Sequence, residues 1–273
     1  MDLFSPRIAS QIDRLVLGIN GQVGPRHGRV LAAIANELGL DSLKLIPHFA
    51  DFLLGGPLRS EIAEARMPYA PARTVGERMA AFSALGLVSE TALGFEATPR
   101  FRPLLVAAIA AREDVVVQTW TTPPTADMEQ LLDRVIEAVP ESHIVAVAHR
   151  SLAPASNRML RLYDRLVTLR YVRQHDHVEA WRAEEMTSVE MKLLTPLWYR
   201  EQPPDDPRAS AALDRRGLLE HGRLNEQGRR LRERIEAETN RRVASTWSVL
   251  SVDEREQLIE ELSQMPEDPQ AID

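Results

Sequence analysis

Apolar residues recur at three- and four-residue steps through nearly the whole chain, and that period points to a mainly α-helical fold. Ile8, Ile12, Leu15 and Leu17 open a first helix, and Val30, Ile34, Leu38 and Leu40 form a second after a Gly/Pro-containing break over 21–28. Leu43 to Leu54 is a short apolar helix stopped by Gly55-Gly56-Pro57, and Leu58 to Met67 is another, followed by a loop that starts at Pro68. Thr74-Val-Gly-Glu77 has the form of a capping box, in which hydroxyl and carboxylate satisfy free N–H groups at a helix start. The helix it opens turns Met79, Phe82 and Leu85 inward and ends at Gly86. Leu87 to Thr98 then gives two short strands around a turn, and Arg100 starts the next helix. Helix, helix, turn, helix, hairpin, helix is the order of a winged helix-turn-helix.

The second half repeats this in part. Gly217-Leu218-Leu219 matches Gly86-Leu87-Val88, and Asn225 precedes Trp247 by the same 22 residues that separate Thr98 from Trp120. Thr121-Thr-Pro-Pro-Thr125 reads as a linker, which divides the chain into 1–122 and 123–273. Beyond it come a helix from Asp127 to Val139, an extended stretch from Ile144 to Ala148 and a long helix from Met159 to about Ala183. Tyr199 to Arg216 is 18 residues, enough for one helix with a start at Asp205-Asp206-Pro207, and the hairpin after it is shortened. The expected architecture is two tandem winged-helix-like units with short hairpin wings, the second degenerate.

Arg215-Arg-Gly-Leu-Leu, Arg223-Leu-Asn-Glu-Gln-Gly228-Arg-Arg-Leu and Leu250-Ser-Val-Asp-Glu-Arg-Glu-Gln-Leu258 resemble the wing and C-terminal helices of MarR-type winged-helix regulators. Leu169-Arg-Tyr-Val-Arg173-Gln-His-Asp-His177-Val-Glu-Ala180, with Glu236-Ala-Glu-Thr239 and Trp247, is similar to a bacterial helix-turn-helix-like family over about residues 160–265. The resemblance implies a fold lineage and pairing into a homodimer through terminal helices. It marks Arg173, His177, Glu236 and Thr239 without assigning them a role.

Composition narrows the chemistry. The 273 residues include no cysteine, which excludes a thiol nucleophile, a Cys-ligated metal and a redox dithiol. The longest apolar run, Leu104 to Ala111, falls short of a membrane span, and the start lacks the basic and apolar regions of a signal peptide, so a cytoplasmic protein without membrane contact is expected. Up to Thr122 there are 12 acidic and 12 basic residues, against 28 and 21 beyond, so any DNA contact belongs to the first unit. Its candidates are Arg59, Arg73, Arg78, Arg100 and Arg102, the residue type best suited to phosphates and base edges. Against them, Glu77 would meet phosphate, and Gly76, Ala80 and Ala84 carry no donors, so an ordinary scaffold has equal standing. Asp205 and Asp206 repel phosphate from the second unit, which leaves it dimerisation or ligand binding.

On the long helix, Arg170, Arg173, His177 and Trp181 align at three- and four-residue steps. With Glu236 and Thr239 they could hold an aromatic or carboxylate-bearing small molecule. The competing assignment puts Trp181 in the core, pairs the arginines with acids on neighbouring helices and pairs Glu236 with Arg232. His175 and His177 project to opposite sides of a helix, so no metal is expected. The chain has no phosphate-binding glycine loop, dinucleotide fingerprint or nucleophile elbow, and no cofactor is expected. His143 and His149 read as surface or core histidines. The function these features favour is a DNA-binding transcriptional regulator with a small-molecule or partner-responsive second domain. The alternative is a winged-helix scaffold repurposed as a small-molecule-binding protein or a cofactor-independent enzyme of specialised metabolism, with His177 as its acid/base.

Overall fold

The structure, a computed structural model, describes residues 4–41, 43, 46–70, 72–199 and 205–267, and the side chains of Ala72 and Arg73 lie outside that description. Helix α1 (Phe4–Glu37) runs unbroken for 34 residues and corrects the expected interruption over 21–28. A helical glycine costs roughly 1 kcal/mol and an interior proline about 3 kcal/mol, so Gly21, Gly24, Pro25 and Gly28 argue locally for a break. Packing overrides them. Beyond the glycines Leu31 and Ala35 are buried, and His27 Nε2 meets Asp114 Oδ2 at 2.9 Å on the helix α5 (Arg102–Thr119).

Between α1 and α5 lie α2 (Ile46–Gly55), α3 (Ser60–Arg66), α4 (Ala72–Ala84), β1 (Val88–Thr91) and β2 (Gly94–Ala97), the order expected of a winged helix. Because α4 starts at Ala72, Thr74 and Glu77 stand inside it, not at its cap. The wing pairs Val88 with Ala97 and Thr91 with Gly94, and Leu58 adds a third edge by exchanging N–H···O bonds of 2.8 and 2.9 Å with Phe95. Gly94 makes that approach possible. It has φ +131°, and a Cβ there would stand 2.4 Å from the Leu58 carbonyl oxygen. Gly94→Ala is expected to lower unfolding stability by about 2 kcal/mol through this strain, measured by chemical denaturation, with an unchanged midpoint refuting the close packing.

The second half continues with α6 (Ala126–Glu137), α7 (Ile144–Arg150), α8 (Arg158–Ala183), α9 (Ser188–Tyr199), α10 (Pro207–Arg215), β3 (Leu219–Glu220), β4 (Arg223–Leu224), α11 (Glu226–Trp247) and α12 (Val252–Ser263). Helix α7 corrects the extended stretch expected there. A short apolar run does not reveal its period, and here Val145 and His149, one helical turn apart, are both buried beside α8. Helix α10 starts as its sequence indicates, with Asp206 accepting from Ala209 N at 2.9 Å and Pro207 in the first turn. Both wings begin alike: Gly86 and Gly217 each have φ +67°, Leu87 N bonds to Phe82 O and Leu218 N to Leu213 O. They also close alike, since Thr98 Oγ1 donates to Gly86 O at 2.8 Å and Asn225 Nδ2 to Gly217 O at 2.8 Å. The second wing has strands of two residues only, and the described residues between α8 and β3 form two helices, α9 and α10.

Two apolar cores result. The larger takes α1 to α7, α8 as far as Val172, Val243 and Trp247 near the end of α11, and α12, so apolar packing continues across residue 122. The smaller holds Val178 and Trp181 of α8, Met191 and Leu194 of α9, Leu213 of α10 and Ile235 of α11. Helices α8 and α11 thus pass from one core into the other. Among the described residues, no helix is long and apolar enough to cross a membrane.

Candidate functional site

The polar residues singled out on α8 and α11 meet at the seam between the two cores. Arg173 donates to Asn240 Oδ1 and to Glu236 Oε2, both at 2.7 Å, and Arg232 pairs with the other Glu236 oxygen. Burial pushes the Glu236 carboxyl up, but Arg232, Arg173 and His177 outweigh it and hold the group below its ordinary range. His177 Nδ1 lies 3.0 Å from Thr239 Oγ1, which donates to Ile235 O, so the imidazole donates from Nδ1. Burial lowers His177 to about 4, which keeps it neutral at pH 7. Arg170 instead binds Asp13 of α1 at 2.6 Å, and Trp181 is buried in the smaller core. The space beside Arg170 and Arg173 is ≈ 10 Å³, room for one water at most. Arg173, His177, Glu236 and Thr239 join α8 to α11 by pairing with one another, while Trp181 Nε1 and Arg232 Nε are buried without a hydrogen-bond partner.

His175 and His177 project apart, as two helical residues at that spacing must: His175 stacks on His143 with ring centres 4.2 Å apart. Among the described residues, no three His, Asp or Glu side chains are placed to hold a metal ion.

The arginines of the first unit divide by role. Arg78 and Arg102 are exposed, on α4 and at the start of α5. Arg59 is exposed and 3.3 Å from Glu61, and Arg100 donates to Leu85 O, closing the C-terminal end of α4. The Arg73 side chain lies outside the described residues. Glu90 and Glu96 stand on the wing, and the exposed face of α4 includes Gly76, Glu77, Ala80 and Ala84.

A large internal space was not anticipated from sequence. A cavity of ≈ 610 Å³ lies between α1, α2, α5, α8 and the α3–α4 connection from Arg66 to Ala70. Val16, Val23, Leu31, Ile109 and Val167 give it apolar walls, and Tyr163, Tyr171, Gln174, His48 and Arg66 place polar groups in them. Tyr163 donates to Asn20 Oδ1 at 2.8 Å, and Gln174 Nε2 donates to Ala65 O at 3.0 Å, which fixes α8 against α3. Arg66 stacks over the Tyr171 ring at 4.7 Å, and among the described residues no carboxylate pairs with it. Arg66 Nε and His48 Nδ1 are buried without a hydrogen-bond partner. Burial, with Arg66 adding to it, lowers His48 to about 4, so the imidazole is neutral and the guanidinium supplies the charge.

One wall of this cavity is an ion pair. Arg112 donates to both Asp51 oxygens at 2.7 Å, with each side chain only 15% exposed. Behind it opens a second cavity of ≈ 410 Å³, and Asp51, Ile109, Arg112 and Tyr163 line both. A guanidinium without a carboxylate, beside a neutral imidazole and aromatic rings, suits a small aromatic molecule carrying a carboxylate or phosphate.

Comparison with known proteins places this architecture in context. The pattern of a helix-turn-helix family matches residues 96–270, from β2 past the end of α12. No curated protein and no solved structure matches the chain.

Proposed function

The chain belongs to a helix-turn-helix family, and from that premise we propose that it is a DNA-binding transcriptional regulator that senses an anionic small molecule in the ≈ 610 Å³ cavity. One observation carries this reading: the segment Arg66 to Ala70 walls the cavity and leads directly into α4, the helix that precedes the wing. A ligand that pairs with Arg66 draws on a half-buried guanidinium at the foot of α4. It therefore has different affinities for different placements of that helix, which is the requirement for a population shift. Arg78 and Arg102 are the exposed contacts to phosphate, Arg59 is a further exposed candidate, and a second copy doubles the number of contacts. The Arg173–Glu236 clamp holds α8, the opposite wall of the cavity, against α11.

The Ala- and Gly-rich outer face of α4 and the wing glutamates favour a second reading, in which the winged helix binds or transforms a small molecule and leaves DNA alone. Retention of pooled genomic fragments at two salt concentrations separates the two. The regulator should retain a subset at low salt and release it as salt rises, and Arg78→Glu should weaken retention about tenfold or more without changing the thermal midpoint. Absence of retention at low salt would reject the regulator and leave the cavity as the functional site.

A further inference from the structure

The wall shared by the two cavities also divides unpaired charge by sign. In the first cavity the group without a counter-charge is Arg66. In the second, bounded by α2, α5, α6, α7, the α7–α8 connection and α8, the unpartnered groups are acids. Its arginines are held: Arg112 by Asp51, Arg165 by Asp133, Arg150 by Glu141 and the Ile136 carbonyl, and Arg161 by the Ala155 and Ser156 carbonyls. Asp164 and Glu113 line the same space, and among the described residues neither carboxylate has a hydrogen-bond or ion-pair partner.

His149 adds an acceptor. The Thr168 hydroxyl donates to the Asp164 carbonyl oxygen at 2.9 Å, so at 2.8 Å from His149 Nδ1 it must accept. That fixes the tautomer and leaves a lone pair on Nε2, which has no protein partner although the residue is only 6% exposed. Leu54, Ile136 and Leu160 supply apolar surface for a ligand body.

We propose that this second cavity binds an organic ammonium ion, with Asp164 and Glu113 matching its charge and His149 Nε2 accepting one of its N–H bonds. An ammonium group supplies donors and charge together, which neither a neutral hydroxyl nor a carboxylate does. Burial raises Asp164 to about 6, against Arg112 and with Asp51 and Glu113 adding to it. The proposal is independent of any contact with DNA, because its polar groups, Glu113, His149 and Asp164, are not among the candidate DNA contacts.

The test is titration of the full-length protein with phenethylamine at pH 7.5, read by calorimetry and by the histidine side-chain ¹⁵N resonances, with 3-phenylpropanoate as the anionic isostere. Phenethylamine should bind and move the His149 signal, assigned through its loss in His149→Gln. Asp164→Asn should weaken binding about tenfold or more, as loss of a charged hydrogen bond does, and Glu113→Gln should weaken it further. Asp164→Asn removes an uncompensated charge, so its thermal midpoint at pH 7.5 should equal or exceed the parent's, which separates lost binding from lost folding. Three outcomes would each overturn the proposal: no binding at millimolar amine, equal binding by the doubly substituted protein, or an equal His149 response to 3-phenylpropanoate. Failure of DNA retention would leave it standing.

Discussion

Replacing Arg112 by leucine should lower unfolding stability by about 3–5 kcal/mol, the cost of leaving one member of a buried ion pair without its counter-charge. Asp51 sits on α2 with Phe49, Ala50, Phe52 and Leu53 buried around it. Burial pushes its carboxyl up, and the Arg112 charge and hydrogen bonds lead the groups that bring it below its ordinary value. Once the guanidinium is gone, the carboxylate must take up a proton or open the wall to water. Asp51→Leu should cost a similar amount by isolating Arg112. The double substitution is the informative one: two leucines of comparable bulk need no solvation, and well-packed apolar replacements of buried pairs are often neutral or better. The double variant should therefore recover most of the loss. Urea denaturation of the four proteins measures the coupling directly, and single losses below roughly 1 kcal/mol would place the pair in solvent-like surroundings.

This ion pair also shows why the fold is easier to read from the sequence than the site. Helices such as α8, α10 and α11 announce themselves locally, by apolar spacing and by the caps at Asn157, Asp206 and Asn225. The parallel between the wings is equally visible, because Thr98 and Asn225 each stand 22 residues before a tryptophan, although the span from the opening glycine shortens from 12 residues to 8. Where tertiary packing decides, local signals mislead: α1 crosses the three glycines and the proline of 21–28 because α5 holds it, and α7 coils because it lies against α8. The cavities depend on pairings distant in sequence. Asp51 and Arg112 are 61 residues apart, and each alone resembles a stray charge at the edge of an apolar segment. A lone carboxylate between Phe49 and Phe52 was the available clue, but it names no partner. His149 reads as either a surface or a core histidine; its burial and its Thr168 partner emerge only when α7 meets α8. The resemblance marks Arg173, His177, Glu236 and Thr239 without a role, and the structure pairs Arg173 with Glu236 and His177 with Thr239 at the seam.

Acid should destabilise the protein chiefly through its buried histidines. His48, His149 and His177 each fall from an ordinary value near 6.5 to about 4, with burial the leading cause. The unfolded chain thus binds protons between pH 6.5 and 4 that the folded chain refuses, so the stability present above pH 6.5 is lost as pH falls through this window. For His149, the least exposed of the three, the loss is on the order of 3 kcal/mol. Asp164 works in the opposite sense. Its folded value, about 6, exceeds the unfolded 3.8, so protonation between those limits favours the folded state and offsets part of the histidine loss. Three imidazoles against one carboxylate leave a net fall, and the thermal midpoint should drop steadily from pH 7 to 4.5. Two variants resolve the contributions: His149→Gln should flatten the profile by removing a proton-refusing site, and Asp164→Asn should steepen it by removing the group that gains. A midpoint constant from pH 7 to 4.5, in the parent and both variants, would mean that these side chains titrate as they do in water and that the cavity walls around them are open.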